Sequence, residues 1–169
     1  GYNTAFFGKW QLFDRDRNAL LVGVEHAMIE VPENRRGGFQ FWEGFESGFL
    51  LNDGFYHGTG IGPPTRIEGY QSDVLAERWS RYLSSEPIDK PLFACISLDA
   101  PHPPYREEPP GINRRLPDSI VLADEVPDDP VVRECARREM AGYYGHIEAT
   151  DRAIGRICRE TKNRLDWEN

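Results

Sequence analysis

The feature that most constrains the fold is a continuous run, residues 92–98, that is apolar except for Ser97 and follows an amphipathic segment. Apolar side chains that continue without alternation are typical of a strand covered on both faces, as in a parallel sheet. The preceding segment has Ser72 as a candidate N-cap and must end before Pro87. Its apolar side chains recur on one helical face: Leu75, Trp79, Tyr82 and Leu83. A helix followed by a buried strand predicts a βαβ unit and therefore an α/β fold.

Four other segments extend this prediction on both sides of the helix. Residues 4–10 combine β-branched and aromatic side chains and predict a buried strand, and residues 38–45 predict a second one. Residues 52–69 contain five glycines, which fits a hairpin or an irregular loop that lines a pocket. Proline-rich residues 99–117 are incompatible with regular structure. We expect the order of this last segment to come from packing or from a site that it builds.

A long helix is predicted to begin after Asp129, which is a candidate N-cap, with Pro130 at the first helical position. It is expected to end near Asn163. Apolar side chains at helical spacing predict its buried face: Val132, Ala136, Met140, Tyr143, Ile147, Ile154 and Cys158. A cluster of aromatic residues is also assigned to the core rather than to a sugar platform: Phe39, Phe41, Trp42, Phe45 and Phe49.

The charge and the hydropathy pattern exclude two classes of partner. The chain of 169 residues has a net charge of −8, from 20 basic and 28 acidic side chains, which argues against a nucleic-acid partner. Its apolar runs are far shorter than the roughly 20 residues that cross a bilayer, so we expect no membrane span. The first residues lack a signal-peptide pattern, and no sequence feature identifies a cellular location.

Polar side chains follow two of the predicted strands. Lys9 lies at the end of the first strand, and His102 follows the run that ends at residue 98. Ligands of open α/β sheets bind beyond the carboxyl ends of the strands, so these two side chains could converge. A lysine offers a compact positive charge to a sulfate or phosphate oxygen, and a histidine can give a proton to a leaving oxygen. The alternatives are a solvated lysine and a histidine that caps a turn.

The chain resembles the sulfatases in an ordered series of motifs. Residues 1–12, GYNTAFFGKWQL, resemble the GYxTxxxGKWHL segment of that family, and residues 100–105, APHPPY, resemble its PHxPY loop. Further matches occur in residues 38–45, 70–75, 90–93, 143–151 and 154–157. Ordered matches that span nearly the whole chain are more specific than any single motif.

The resemblance implies an alkaline-phosphatase-like α/β sandwich with a mostly parallel central sheet flanked by helices. It implies hydrolysis of sulfate esters in a sulfated small molecule or glycan, with a formylglycine nucleophile and a bound calcium ion. Lys9 would hold the sulfate group and the formylglycine, and His102 would protonate the leaving oxygen. The chain has Gln11 where the family usually has histidine, and a glutamine at this substrate-binding position donates hydrogen bonds but carries no proton to transfer.

The formylglycine motif C/S-x-P-x-R is absent from the sequence, and so are the paired aspartates and the later metal-binding segment of a sulfatase. We therefore expect residues 1–169 to be a single partial domain from inside a sulfatase catalytic domain, with the nucleophile and the metal ligands outside the chain. Alone it is expected to be inactive and prone to self-association through exposed strand edges. The alternatives are a phosphatase or phosphonate monoester hydrolase of the same superfamily and a noncatalytic, sulfatase-like binding protein.

Overall fold

The computed structural model describes residues 1–14, 18, 20, 22–105, 109, 111–112 and 115–166. The strands are β1 Asn3–Lys9, β2 Phe41–Phe45, β3 Phe55–Gly58, β4 Gly62–Arg66 and β5 Leu92–Ser97. The α-helices are α1 Val24–Ala27, α2 Gln71–Ser85 and α3 Pro130–Arg164. Short 3-10 turns occupy Glu33–Arg35 and Pro117–Ser119.

The five strands form one sheet in the order β4-β3-β2-β1-β5. Strand β1 is parallel to both of its neighbours, β2 and β5, whereas β3 is antiparallel to β2 and to β4. The strands pack closely at Gly8, where a Cβ would lie 2.1 Å from the carbonyl oxygen of Ser97. The predicted α/β fold with a mostly parallel sheet is confirmed, and β3 and β4 form the hairpin expected within residues 52–69.

Helix α2 covers one face of the sheet, as its sequence predicts. The side chains assigned to its apolar face are all buried: Leu75, Trp79, Tyr82 and Leu83. The prediction of Ser72 as the N-cap is wrong, because the helix begins at Gln71 and its cap residue, Tyr70, makes no side-chain capping bond. Ser72 is instead fully buried, with its hydroxyl 3.5 Å from that of Thr150 in α3. Tertiary packing therefore determines the role of this serine.

Strand β5 has the predicted position but not the predicted burial. Its side chains are mostly half-buried, and Phe93 is 55% exposed. The reason is its place in the sheet: within the described part of the chain, β5 is an edge strand with β1 as its neighbour. Contrary to the prediction from the sequence, the described residues therefore do not bury both faces of β5.

Helix α3 begins as predicted but buries a different face. Asp129 accepts hydrogen bonds from the backbone N–H groups of Val131 and Val132, which confirms the cap. The predicted apolar face is wrong, since Val132, Ile147 and Ile154 are 39–43% exposed. The buried face consists mainly of small residues: Ala141, Gly142, Gly145, His146, Ala149, Thr150 and Ala153. Small side chains let α3 approach its neighbours closely, as at Gly142, where a Cβ would lie 2.0 Å from the carbonyl oxygen of Tyr105.

Of the five aromatic residues assigned to the core, Phe41, Trp42, Phe45 and Phe49 are buried, and Phe39 is half-buried. Phe7 packs with Phe41, Trp79 and Tyr82 on the α2 side. On the other face Phe6 packs against Trp10, Phe39 and Trp42. Among the described residues, no helix is long and apolar enough to cross a membrane.

Candidate active site

The carboxyl ends of β1, β2 and β5 meet at one edge of the sheet because these three strands are parallel. Lys9 ends β1, and Asp99 lies just beyond β5. The two side chains form an ion pair in which Lys9 Nζ lies 2.7 Å from Asp99 Oδ1. Both are largely shielded from solvent, with side-chain exposures of 11% and 1%. This edge therefore carries a positive charge that is held in place by a buried carboxylate.

Phe49, in the segment after β2, contacts both residues that the sequence singles out. The Nζ atom of Lys9 lies 4.1 Å from the centroid of the Phe49 ring. The imidazole of His102 stacks on the same ring, with 4.1 Å between centroids and 14° between the planes. Because Nζ and the His102 ring centre each lie 4.1 Å from the centroid of the Phe49 ring, they are at most about 8 Å apart. The structure thus brings Lys9 and His102 together.

Backbone hydrogen bonds fix the orientation of His102. Its N–H donates to the carbonyl oxygen of Asp99 at 3.0 Å. Its ring Nδ1 lies 2.8 Å from the carbonyl oxygen of Pro103. Because a carbonyl oxygen can only accept, Nδ1 carries the hydrogen in this bond. Nε2 is then the ring nitrogen that can exchange a proton with a ligand.

Gln11 lies at the same edge, two residues beyond β1. Its backbone N–H donates to the carbonyl oxygen of Glu46 at 3.0 Å, which ties the ends of β1 and β2 together. Its φ angle of 53° is left-handed, a conformation that few residues other than glycine adopt. The side chain is exposed. The structure therefore places Gln11 beside the site with an amide that is accessible to a ligand.

Sequence reasoning missed three contributors to this site: Phe49, Gln71 and Asp99. Gln71 is the first residue of α2, and its side-chain oxygen accepts the backbone N–H of Asp99 at 3.2 Å. Its amide nitrogen donates to the carbonyl oxygen of Leu50 at 3.2 Å. The strand-end rule that selected Lys9 and His102 could also have found Asp99, which directly follows the apolar run. Nothing in the sequence marks Phe49 as more than a core residue or Gln71 as more than a helix start.

The negative charge of Asp99 acts inside the core as well as on Lys9. Burial raises the pKa of the Tyr56 hydroxyl well above its usual range, and the charge of Asp99 raises it further. The second carboxylate oxygen of Asp99, Oδ2, is buried and has no hydrogen-bond partner among the described residues. Among the described residues the carboxylate is therefore paired through Oδ1, with the Lys9 ammonium at 2.7 Å.

The residues that the structure describes do not fit a metal centre. Among them, no group of three or more His, Cys, Asp or Glu side chains is arranged to hold an ion. The chemistry of this edge is that of a cationic donor and an imidazole on an aromatic ring. Such a set suits an oxyanion and a leaving group that needs a proton.

Sequence comparisons relate the chain to known proteins. The profile of the family described as Sulfatase matches residues 1–169. The ulvan-active sulfatase of Formosa agariphila is 31% identical over 163 residues, which cover 95% of this chain and 29% of that protein.

Solved structures share the fold at lower identity. The yidJ protein of Bacteroides fragilis, named as a sulfatase, superposes with a TM-score of 0.76 at 19% identity, over 96% of this chain and 38% of its own. BT4656, solved with its substrate D-glucosamine-2-N,6-O-disulfate, gives a TM-score of 0.60 at 15% identity, over 96% and 44%. The chain thus spans between about a quarter and a half of the length of these relatives. With the family profile matched along the whole chain, on an α/β sheet of the alkaline-phosphatase-like type, this chain belongs to the sulfatase family.

Proposed function

We propose that the protein carrying this chain hydrolyses sulfate esters, and that the chain supplies Lys9 and His102 to its active site. The observation that carries the proposal is the contact of both side chains with Phe49 at the carboxyl edge of three parallel strands. Membership of the sulfatase family supports the reaction type. The reaction converts R–O–SO₃⁻ and water into the alcohol R–OH, sulfate and a proton.

Lys9 is proposed to bind an oxygen of the sulfate group and to orient the nucleophile. Its ammonium is a compact charge in a largely shielded position, where electrostatic stabilisation of a developing negative charge is stronger than in water. Because Phe49 lies against Nζ, the ammonium is directed by a ring as well as by Asp99.

His102 is proposed to protonate the leaving oxygen as the S–O bond breaks. The bond between Nδ1 and the Pro103 carbonyl leaves Nε2 as the nitrogen that gives this proton. The bond electrons then remain on the leaving oxygen, which departs as a neutral hydroxyl. Gln11 is proposed to donate a side-chain hydrogen bond to the substrate, since its amide is exposed at the same edge.

We further propose that residues 1–169 form a single partial domain, and that a formylglycine and a calcium ion are supplied by residues outside it. When bound, these groups would provide a nucleophilic oxygen and a cation that polarises the sulfate. The described residues contain no ligand cluster for the ion. On this proposal the isolated chain is inactive.

The proposed substrate class is a sulfated carbohydrate. Two relatives support it: one is named as an ulvan-active sulfatase, and the other was solved with a disulfated glucosamine as its substrate. No nucleic-acid partner is proposed, because of the net charge of −8.

The test uses the full-length protein that contains this chain. Sulfate release from sulfated oligosaccharides is measured by ion chromatography, and phosphate release from 4-nitrophenyl phosphate is measured in parallel. We expect sulfate release that falls at least 10²-fold in Lys9→Ala, whereas Lys90→Ala, at an exposed lysine, retains it. A preference for the phosphate ester by orders of magnitude would instead identify a phosphatase or phosphonate monoester hydrolase.

A noncatalytic binding protein is the second candidate, and Gln11 is the observation that favours it. This residue cannot transfer a proton in the position where the family usually has histidine. If the full-length protein binds sulfated oligosaccharides without releasing sulfate, and Gln11→His leaves it inactive, the binding role is supported and the hydrolytic proposal is wrong.

A further inference from the structure

Asp99 places a negative charge next to the cation that is proposed to bind the ester. Its Oδ1 lies 2.7 Å from Lys9 Nζ, and its side chain is almost completely buried. A hydrogen bond from Nζ to a bound oxygen would be about 2.8 Å long. Because Nζ is within hydrogen-bond distance of both atoms, that oxygen would then lie within about 6 Å of Asp99 Oδ1. An anion bound by Lys9 is therefore also close to a like charge.

The backbone of Asp99 is held so that the carboxylate stays in this position. Its N–H donates to the Gln71 side chain, and its carbonyl oxygen accepts the N–H of His102. These bonds connect the residue to the start of α2 on one side and to the histidine loop on the other. Asp99 thus remains a fixed part of the site when a ligand arrives.

We propose that Asp99 makes this site selective for the singly charged sulfate ester over the doubly charged phosphate ester of the same alcohol. This inference rests on the proposed function and names a residue that determines its specificity. An unpaired Lys9 would attract a dianion twice as strongly as a monoanion of the same shape. The carboxylate beside it offsets that extra attraction, because its repulsion also doubles with the charge of the ligand.

The first test compares hydrolysis of 4-nitrophenyl sulfate and 4-nitrophenyl phosphate by the full-length protein at a pH where the phosphate ester carries two charges. Asp99→Asn removes the charge but keeps an oxygen that can accept from Nζ. We expect the ratio of kcat/KM for sulfate to kcat/KM for phosphate to fall about tenfold in this variant. Asp99→Glu, which keeps the charge, is expected to remain closer to the wild-type ratio.

The matched control is Asp53→Asn. Asp53 also pairs with a cation, Arg66 at the end of β4, but both side chains are exposed. Asparagine suits its left-handed φ of 53° and keeps a side-chain oxygen to accept the Gly69 N–H, so the substitution removes one negative charge with little structural cost. We expect the wild-type ratio in this variant. An equal fall in both variants would attribute the effect to net charge and overturn the inference.

The second test needs no turnover. Methanesulfonate and methylphosphonate have the same shape but carry one and two charges in alkaline buffer, and their binding is measured by calorimetry. In Asp99→Asn we expect methylphosphonate to bind more tightly relative to methanesulfonate, again by about tenfold. An unchanged relative affinity overturns the inference.

The two tests separate the two proposals. If no sulfate ester is hydrolysed but Asp99→Asn shifts the relative affinity as expected, the proposed function falls and the role of Asp99 stands. If sulfate esters are hydrolysed with an unchanged ratio, the function stands and the role of Asp99 falls. Should circular dichroism show that Asp99→Asn is unfolded, Asp99→Ser removes the same charge with a smaller side chain, and the same outcomes apply.

Discussion

The imidazole of His102 lies flat on the ring of Phe49, with 4.1 Å between the ring centroids and 14° between their planes. The same phenyl ring contacts the ammonium of Lys9. One aromatic side chain therefore contacts both groups of the proposed reaction. Lys9 is proposed to bind a sulfate oxygen, and His102 is proposed to protonate the leaving oxygen. A buried aromatic residue in such a place has a role in alignment as well as in the core.

Replacing Phe49 tests this alignment. We expect Phe49→Ala to lower the free energy of unfolding by about 3 kcal/mol, as for other buried phenylalanines, and to lower kcat. Phe49→Leu fills much of the space but offers no ring face, so it should retain more stability than Phe49→Ala while still losing turnover. Urea unfolding and steady-state kinetics on the full-length protein measure both quantities. Full activity in Phe49→Leu would show that the ring contacts do not matter.

Replacing His102 tests its proposed role as a general acid. We expect His102→Gln to lower turnover about 10²–10⁴-fold for an alkyl sulfate, whose leaving oxygen needs a proton. For 4-nitrophenyl sulfate the loss should be much smaller, because nitrophenolate leaves without protonation. Because the same variant is tested on both substrates, a folding defect would lower turnover of both equally, and the comparison controls for it. Equal losses on both would assign His102 to binding rather than to proton transfer.

The buried residue His57 makes stability depend on pH. Burial, together with the charge of Arg36, lowers the pKa of His57 from 6.5 to about 4. Its Nε2 accepts a hydrogen bond from the Val31 N–H at 2.8 Å, which requires the unprotonated nitrogen. The unfolded chain binds the proton more readily than the folded one. Its contribution to stability is therefore complete above pH 6.5 and is lost as the pH falls towards about 4.

The expected size of this effect is about 1 kcal/mol of unfolding free energy per pH unit within that window. Urea unfolding of the full-length protein at pH 7, 6 and 5 measures it, and His57→Gln serves as the reference. The difference between wild type and variant should shrink as the pH falls. A difference that is independent of pH would contradict the assignment.

A buried ion pair links strand β2 to helix α2. The Arg78 guanidinium donates twice to the Glu43 carboxylate, with Nε at 2.7 Å, and the Glu43 side chain is 2% exposed. We expect Arg78→Met to lower the free energy of unfolding by about 3–5 kcal/mol, since it leaves a carboxylate buried without its cation. Arg81→Met, which removes an exposed partner of Glu77, should change it by less than about 1 kcal/mol. Similar losses in the two variants would contradict this reasoning.

Gly142 controls how closely α3 approaches the loop that carries His102. A Cβ at this position would lie 2.0 Å from the carbonyl oxygen of Tyr105. Gly142→Ala should therefore displace the loop, lower the free energy of unfolding by about 1–3 kcal/mol and lower kcat. Gly155→Ala, on the same helix, has no contact closer than the flexible end of Arg159 and is the matched control. Equal kinetics in the two variants would show that the loop does not follow the helix.

The parts of the fold that sequence predicts well are those set by local chemistry. The strand at β1, the cap at Asp129 and the apolar face of α2 each follow from side chains that are close in sequence. The buried face of α3 could not be predicted in this way, because the choice between Ile147 and Gly145 depends on what packs against the helix. Small residues are preferred where two backbones pack closely, and a prediction from the spacing of apolar side chains does not take that preference into account.

The residues of the candidate active site also divide into those that local sequence predicts and those that depend on tertiary packing. Lys9 and His102 follow from the rule that ligands bind beyond strand ends, and in the structure both side chains contact the ring of Phe49. Phe49 and Gln71 could not be identified, because their contacts cross 53 and 28 residues of sequence, to His102 and to Asp99 respectively. Such contacts depend on the folded chain.

The left-handed backbone at the site implies a conflict between selection for activity and selection for stability. Of the three non-glycine residues with positive φ that the structure describes, Gln11 and Phe49 lie at the candidate active site. Side chains larger than asparagine are disfavoured in this conformation, which costs of order 1 kcal/mol at each position. A laboratory screen that rewarded thermal tolerance alone would therefore favour glycine at position 11, and would remove the amide side chain from the sheet edge without any loss of fold.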